Sequence, residues 1–167
     1  SVLILHRLVR KWRGDWAAHL AALALALTPV AALMFRYNNP DAMLTFLGLG
    51  AAWALWSAVE TGRTRALVLS GVLTGLAFET KMLQAFVVVP ALVLTYLIAG
   101  PPKLGKRILQ LSAALVALVV ASSFWAVIVS LWPASARPYI GSTSDNSVWS
   151  LVLGYNGLDR VLGNSTG

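Results

Sequence analysis

The stretch "ILQLSAALVALVVASSFWAVIVSLW", residues 108–132, runs 25 positions without an Asp, Glu, Lys or Arg. Wound as an α-helix at about 1.5 Å per residue, it is longer than the roughly 30 Å hydrocarbon layer of a bilayer. A helix lying on a soluble core would carry a polar stripe at helical period, and this run has none. Outward from it, further runs of 17 or more uncharged residues follow the same pattern. The whole chain is 58% apolar and 11% charged, with a mean hydropathy of +0.74. Soluble domains sit nearer to half apolar and a quarter charged. The fold class read from this is all-α, a polytopic transmembrane helix bundle.

Helices are expected at 16–35, 40–59, 66–80, 82–99 and 108–132. Pro29 falls in the outer part of the first, where a kink is tolerated if neighbours satisfy the freed carbonyl. "SVLIL" at 1–5 reads as the last turns of a helix that starts earlier, and "HRLVRKWRGD" at 6–15 as a basic connection. That makes five full spans and the stub of a sixth across residues 1–132, followed by the start of an extracytoplasmic loop at 133–167. The first residue is Ser1, and "GNSTG" at 163–167 stops without a closing element, so a piece of a longer protein is expected. The N-terminus is too short and wrongly flanked for a signal peptide. There are no cysteines, which excludes disulfide frameworks and thiolate chemistry.

Charge gives orientation. Alternate connections place Arg7, Arg10, Lys11, Arg13, Arg63, Arg65, Lys103, Lys106 and Arg107 on one side, and Arg36, Lys81, Arg137 and Arg160 on the other. By the positive-inside rule the larger group faces the cytoplasm. After Asp15 and Glu60 are subtracted, that side alone carries the net charge of +7. On the other side Asp41, Glu79, Asp145 and Asp159 balance the cations. The net charge is therefore topological and requires no nucleic-acid partner.

Three polar clusters open to the extracytoplasmic side. In "FRYNNPDA", 35–42, Asn39 as N-cap, Pro40 at the first helical position and Asp41 in the first turn make an ordinary helix start. That reading leaves Arg36, Tyr37 and Asn38 without a reason. An ionisable group at a membrane boundary that points into a bundle is a site candidate. In "FETKMLQ", 78–84, Glu79 and Lys81 are two residues apart and do not face each other on a continuous helix. They are either a mutually neutralised or snorkelling pair, or both reach one cavity across a helix break. An ammonium on this side suits a phosphate. The tail supplies Arg137, Tyr139, Asp145, Asn146, Tyr155 and Asn156, residue types that bind sugars but also furnish interfacial belts. Gly71 and Gly75 form a small-xxx-small pair read as helix packing. His6 and His19 have no further ligand at useful spacing. "NST" at 164–166 fits a glycosylation acceptor that is common by chance.

"RYNNPDAMLTFL", "GRTRALVLSGVLTGLAFETKMLQAFVVVPAL" and "LWPASARPYIGSTSDNSVWSLVLGYNGL", in that order, resemble the bacterial glycosyltransferase family 39 group. These are relatives of dolichyl-phosphate-mannose protein mannosyltransferases and of the lipid A aminoarabinose transferase, and the likeness is strongest to the YkcB-like branch. The resemblance covers nearly the whole chain. It implies a GT-C fold and inverting transfer, at the extracytoplasmic face of the cell membrane, of a hexose or pentose. The donor would be a polyprenyl-phosphate sugar and the acceptor an unidentified extracytoplasmic molecule, with membrane lipid around the bundle. It further implies that the main catalytic base lies upstream of Ser1, so the chain alone is expected to be inactive. Asp41 matches a second acidic position that organises the donor phosphate, in some members through a divalent metal ion, which makes Asp41 the candidate metal ligand. No other cofactor is implied. Lys81 matches the lysine of the family's "TKM" motif. Arg36, Tyr37, Asn38, Asn39, Lys81, Arg137, Tyr139 and Asn156 are the candidate substrate-binding residues. Glu79 departs from the pattern, which leads one to expect an apolar residue there. The rival class, a fragment of a polytopic transporter, expects a broken helix near the midplane and an inverted repeat. Thr28, Pro29 and Thr74 are its only hints.

Overall fold

The computed structural model describes residues 1–37, 39–133, 136–141, 143 and 145–152. In chain order the elements are α1 (Val2–Leu27), α2 (Pro29–Arg36), α3 (Asp41–Thr61), α4 (Thr64–Lys81), a 3₁₀ segment (Met82–Val88), α5 (Val89–Ala99) and α6 (Leu104–Ser130). Among the described residues there is no strand, and residues 148–152 add a short helical turn. The molecule is an α-helical membrane bundle. Three stretches are long and apolar enough to span a bilayer, Asp41–Thr61, Thr64–Ala99 and Leu104–Ser130, or four if the bent pair α1–α2 counts as one. That is fewer than the five spans expected from the sequence.

Two breaks in the helices bear on this count. Thr28 is extended, Pro29 starts a new helix with no N–H to give, and α2 leaves α1 at 59°. Pro29 therefore separates two helices where a single kinked one was expected. The 36-residue stretch Thr64–Ala99 also doubles back at Lys81–Met82, where Met82 takes φ 45° and ψ −130°. Phe78 and Phe86, eight residues apart, consequently stack with ring centroids 4.9 Å apart. The returning arm is wound partly as 3₁₀ and leaves α5 only 11 residues long.

Residues 6–15, expected as a connection, are helical instead. The helix is interrupted only at Gly14, whose φ of 80° and ψ of −179° suit glycine and little else. A sequence-distant contact holds this basic segment. Lys11 Nζ donates to Glu60 Oε2 at 2.6 Å, and Trp12 meets Trp56 edge to face at 5.4 Å.

The central helix is α4, packed against α3 on one side and α6 on the other. Gly71 and Gly75 let α6 approach: a Cβ on Gly71 would lie 2.2 Å from the Ala114 carbonyl oxygen, and one on Gly75 2.6 Å from that of Leu118. In lipid, where apolar burial drives helix association weakly, such close backbone packing carries the interface. Ser70 Oγ donates to the Ala51 carbonyl on α3 at 2.9 Å, and the buried Thr74 hydroxyl to the Ser70 carbonyl at 2.8 Å. Thr74 is thus satisfied within its own helix.

The two ends of the bundle have separate cores. At the basic end, Leu55, Ala58, Leu67, Tyr96 and Ala114 cluster around a hydrogen-bonded network. Tyr96 OH donates to Gln110 Oε1 at 2.7 Å, and Gln110 Nε2 donates to Gly62 O and Thr64 Oγ1 at 3.0 and 2.9 Å. The opposite core joins Leu47, Phe78 and Ala85 to Val152 of the tail. The rest of α6 is largely bare, with Leu115, Val116, Val119 and Val120 outward, as a lipid-facing helix requires.

Candidate functional site

The site lies at the end of the bundle away from the basic segment, where α3 begins and α4 ends. α3 starts at Asp41, one residue beyond the expected start, with Pro40 rather than Asn39 at the formal cap. Asn39 still performs the capping chemistry: its side-chain oxygen accepts the Asp41 N–H at 3.1 Å. The Asp41 carboxylate is then left for longer-range use. It accepts a hydrogen bond from the Lys81 ammonium across the α3–α4 interface, and the two side chains are only 22% and 27% exposed. A pair this sheltered is screened far less than a surface pair. Lys81 reaches it because the helix ends there. Met82 lies in the left-handed region that non-glycine residues avoid, a strain of about 1–3 kcal/mol that surrounding packing must hold.

Lys81 pairs with Asp41 and not with Glu79, so the neutralised Glu79–Lys81 pair weighed from the sequence does not form. Glu79 Oε1 is buried without a hydrogen-bond partner among the described residues.

The tail returns to this end of the bundle. Arg137 donates to the Ser130, Trp132 and Asn146 carbonyls at 3.0, 2.9 and 3.3 Å, tying the loop to the C-terminus of α6. A guanidinium there satisfies carbonyls that the helix leaves open and complements its dipole. It also lines a cavity of about 250 Å³ with Trp125, Val129 and Trp132. Asn146 Oδ1 accepts the Ile140 N–H at 2.6 Å. The Ser150 hydroxyl, 2.7 Å from Asp145, holds that carboxyl below its usual range. Part of the tail is therefore folded onto the bundle rather than solvated.

The structure joins two of the candidate substrate-binding residues, Asn39 and Lys81, to Asp41. Arg137 lines a separate cavity beside the C-terminus of α6, while Arg36, Tyr37 and Tyr139 are exposed. Asn38 and Asn156 lie outside the described residues. Gln110 and Trp125 were not singled out by sequence reading. Gln110 carried a weak signal, being an amide inside a run of 25 uncharged residues, and Trp125 carried none.

The fit to a divalent ion is poor. Among the described residues no three His, Asp or Glu side chains gather as metal ligands, and Asp41 already holds an ammonium.

Residues 1–126 match the family described as dolichyl-phosphate-mannose-protein mannosyltransferase. Two relatives from Bacillus subtilis (strain 168), YkcB and YycA, carry the word mannosyltransferase in their names. They are 42% and 46% identical to the chain over all 167 residues. The chain spans about a quarter of their length, 23% and 24% respectively. No solved structure matches it significantly. With three-quarters of its length inside the family match, the chain belongs to the dolichyl-phosphate-mannose-protein mannosyltransferase family, a group of membrane glycosyltransferases of the GT-C class.

Proposed function

We propose that the full-length protein moves a sugar from a polyprenyl-phosphate donor to an acceptor at the extracytoplasmic face of the cell membrane, inverting the anomeric centre. The observation that carries this reading is the Asp41–Lys81 pair, drawn from two helices to the end of the bundle opposite the cluster of cations. The positive-inside rule supports an outer placement of the pair.

The chemistry follows from what each group has left to give. Lys81 has three N–H donors and Asp41 takes one, leaving two for the oxygens of a lipid phosphate. As the glycosidic C–O bond breaks, charge grows on that phosphate, and a fixed ammonium in a water-poor site stabilises it more than water would. Asp41 is the positioning carboxylate. Removal of the acceptor's proton falls to a separate carboxylate base. Inversion in a single displacement needs no carboxylate nucleophile. Arg36, Tyr37, Asn38, Asn39, Arg137, Tyr139 and Asn156 would form the substrate-binding rim, with sugar and acceptor classes set by their hydrogen bonding. The break at Thr28–Pro29 is a feature a transporter fragment would share, but Thr74, the other such hint, is satisfied internally.

Orientation and donor are testable together. In cells, Asn38→Cys should react with a membrane-impermeant maleimide added outside and Gly105→Cys should not; the reverse pattern contradicts the topology. Purified full-length protein should transfer mannose from decaprenyl-phosphate-mannose and not from a nucleotide-linked mannose. Use of the nucleotide sugar alone would reject the donor class.

A further inference from the structure

We infer that Glu79 and the cavity beside it form a subsite for the hydroxyls of a sugar ring, an inference that rests on the transferase reading above. The cavity, about 280 Å³, lies between the end of α4 and the returned tail. Its walls include Phe78, Met82, Trp125, Val129, Ile140 and Val152, with the Glu79 carboxylate among them. Glu79 Oε1 is buried and accepts no hydrogen bond among the described residues. An acceptor left in this state forfeits its hydration without compensation, so buried polar atoms in native proteins nearly always find a partner. None comes from the cavity wall: among the described residues no Lys, Arg or His lines it, and the hydroxyl of Ser122 is used on the Val119 carbonyl at 3.2 Å. Lys81, two residues on, is committed to Asp41.

The ligand that meets these walls presents hydroxyl donors to one oxygen and a C–H face to an indole and aliphatic side chains. A pyranose does both. A cation is the weaker match, because Lys81 is close in sequence and Arg137 lines the adjoining cavity, which shares Trp125 and Val129 with this one. The volume lies just under the roughly 300 Å³ at which ligand pockets start, and suits a single ring better than a lipid chain. The subsite and the Lys81 ammonium lie on different faces of the same end of α4, and a sugar-phosphate reaching round that end would use both.

Full-length protein in nanodiscs would be titrated with decaprenyl-phosphate-mannose and with decaprenyl phosphate. Wild type is expected to prefer the sugar-bearing lipid. Glu79→Leu should lower the affinity for that lipid about tenfold, the size of a hydrogen bond to a charged group, and leave the affinity for decaprenyl phosphate unchanged. Its melting temperature should be no lower than the parent's, because the deleted oxygen had no partner. Full wild-type preference in the folded variant would overturn the subsite. Should Glu79→Leu fail to fold, Glu79→Gln decides: partial loss of preference supports the subsite and an unchanged preference rejects it. Wild type that binds both lipids equally, or neither, would remove the donor reading and the subsite together; a preference that survives the Glu79 substitutions would remove the subsite alone.

Discussion

The two ends of the bundle are built from similar side chains put to opposite uses. At the basic end polar groups close on one another. Gln110 links Tyr96, Gly62 and Thr64, Lys11 meets Glu60, and Arg107 donates to the Leu97 and Pro102 carbonyls at 2.5 and 2.6 Å. At the Asp41 end capacity is left over. Both buried side-chain atoms without a hydrogen-bond partner among the described residues, Glu79 Oε1 and Arg137 Nε, lie there. Lys81 also keeps donors beyond the one that Asp41 takes. In an apolar bundle, unmet hydrogen-bonding capacity is expensive, and its concentration at one end supports the proposal that a ligand binds there.

The largest effect expected separates the ends by activity. In the full-length protein, Asp41→Asn should lower sugar transfer by about a hundredfold or more, the scale of losing preorganised electrostatic stabilisation, with expression intact. Near-normal turnover would put the pair outside the site. Next comes the seam that joins both ends. Gly71→Ala drives a methyl group into the Ala114 carbonyl. It should destabilise the bundle by about 1–3 kcal/mol in a denaturant titration, and unchanged stability would disprove the close α4–α6 approach. Gln110→Leu should remove about 1–2 kcal/mol by stranding the Tyr96 hydroxyl and the Gly62 carbonyl, while transfer per folded molecule stays the same. A loss of turnover instead would mean that the basic end takes part in the chemistry. Smallest is Lys11→Ala, a solvent-exposed pair worth about 0–1 kcal/mol, read in the same titration. A larger loss would show that the basic helix depends on this one contact.

Much of this division could be read from the residues. Runs without charge placed the helices approximately, and counting cations by side put Asp41 and Lys81 at the same end. Their pairing followed once Met82 ended α4. What stayed hidden depends on contacts between distant parts of the chain. Residues 6–15 look like a loop because they are basic, yet Trp12 and Lys11 find Trp56 and Glu60 some 44 and 49 positions away. Proline allows both a kink and a break, so the sequence does not show that Thr28 is extended and that α2 starts anew at Pro29 to pack on α3. The same holds for the tail. Asn146 and Arg137 suggested a binding loop, but only the fold shows Arg137 closing α6 and Val152 entering the core. Glu79 stood out as an oddity in sequence, and its cavity exists only once the tail is folded back.

The most direct test of the account compares one lysine from each end. Equilibrium binding of decaprenyl phosphate to full-length protein should weaken about tenfold or more in Lys81→Ala, as expected for losing a charge-assisted hydrogen bond, and should stay at the wild-type value in Lys11→Ala. Equal affinities in all three proteins, or equal losses in both variants, would contradict a phosphate site at the Asp41 end.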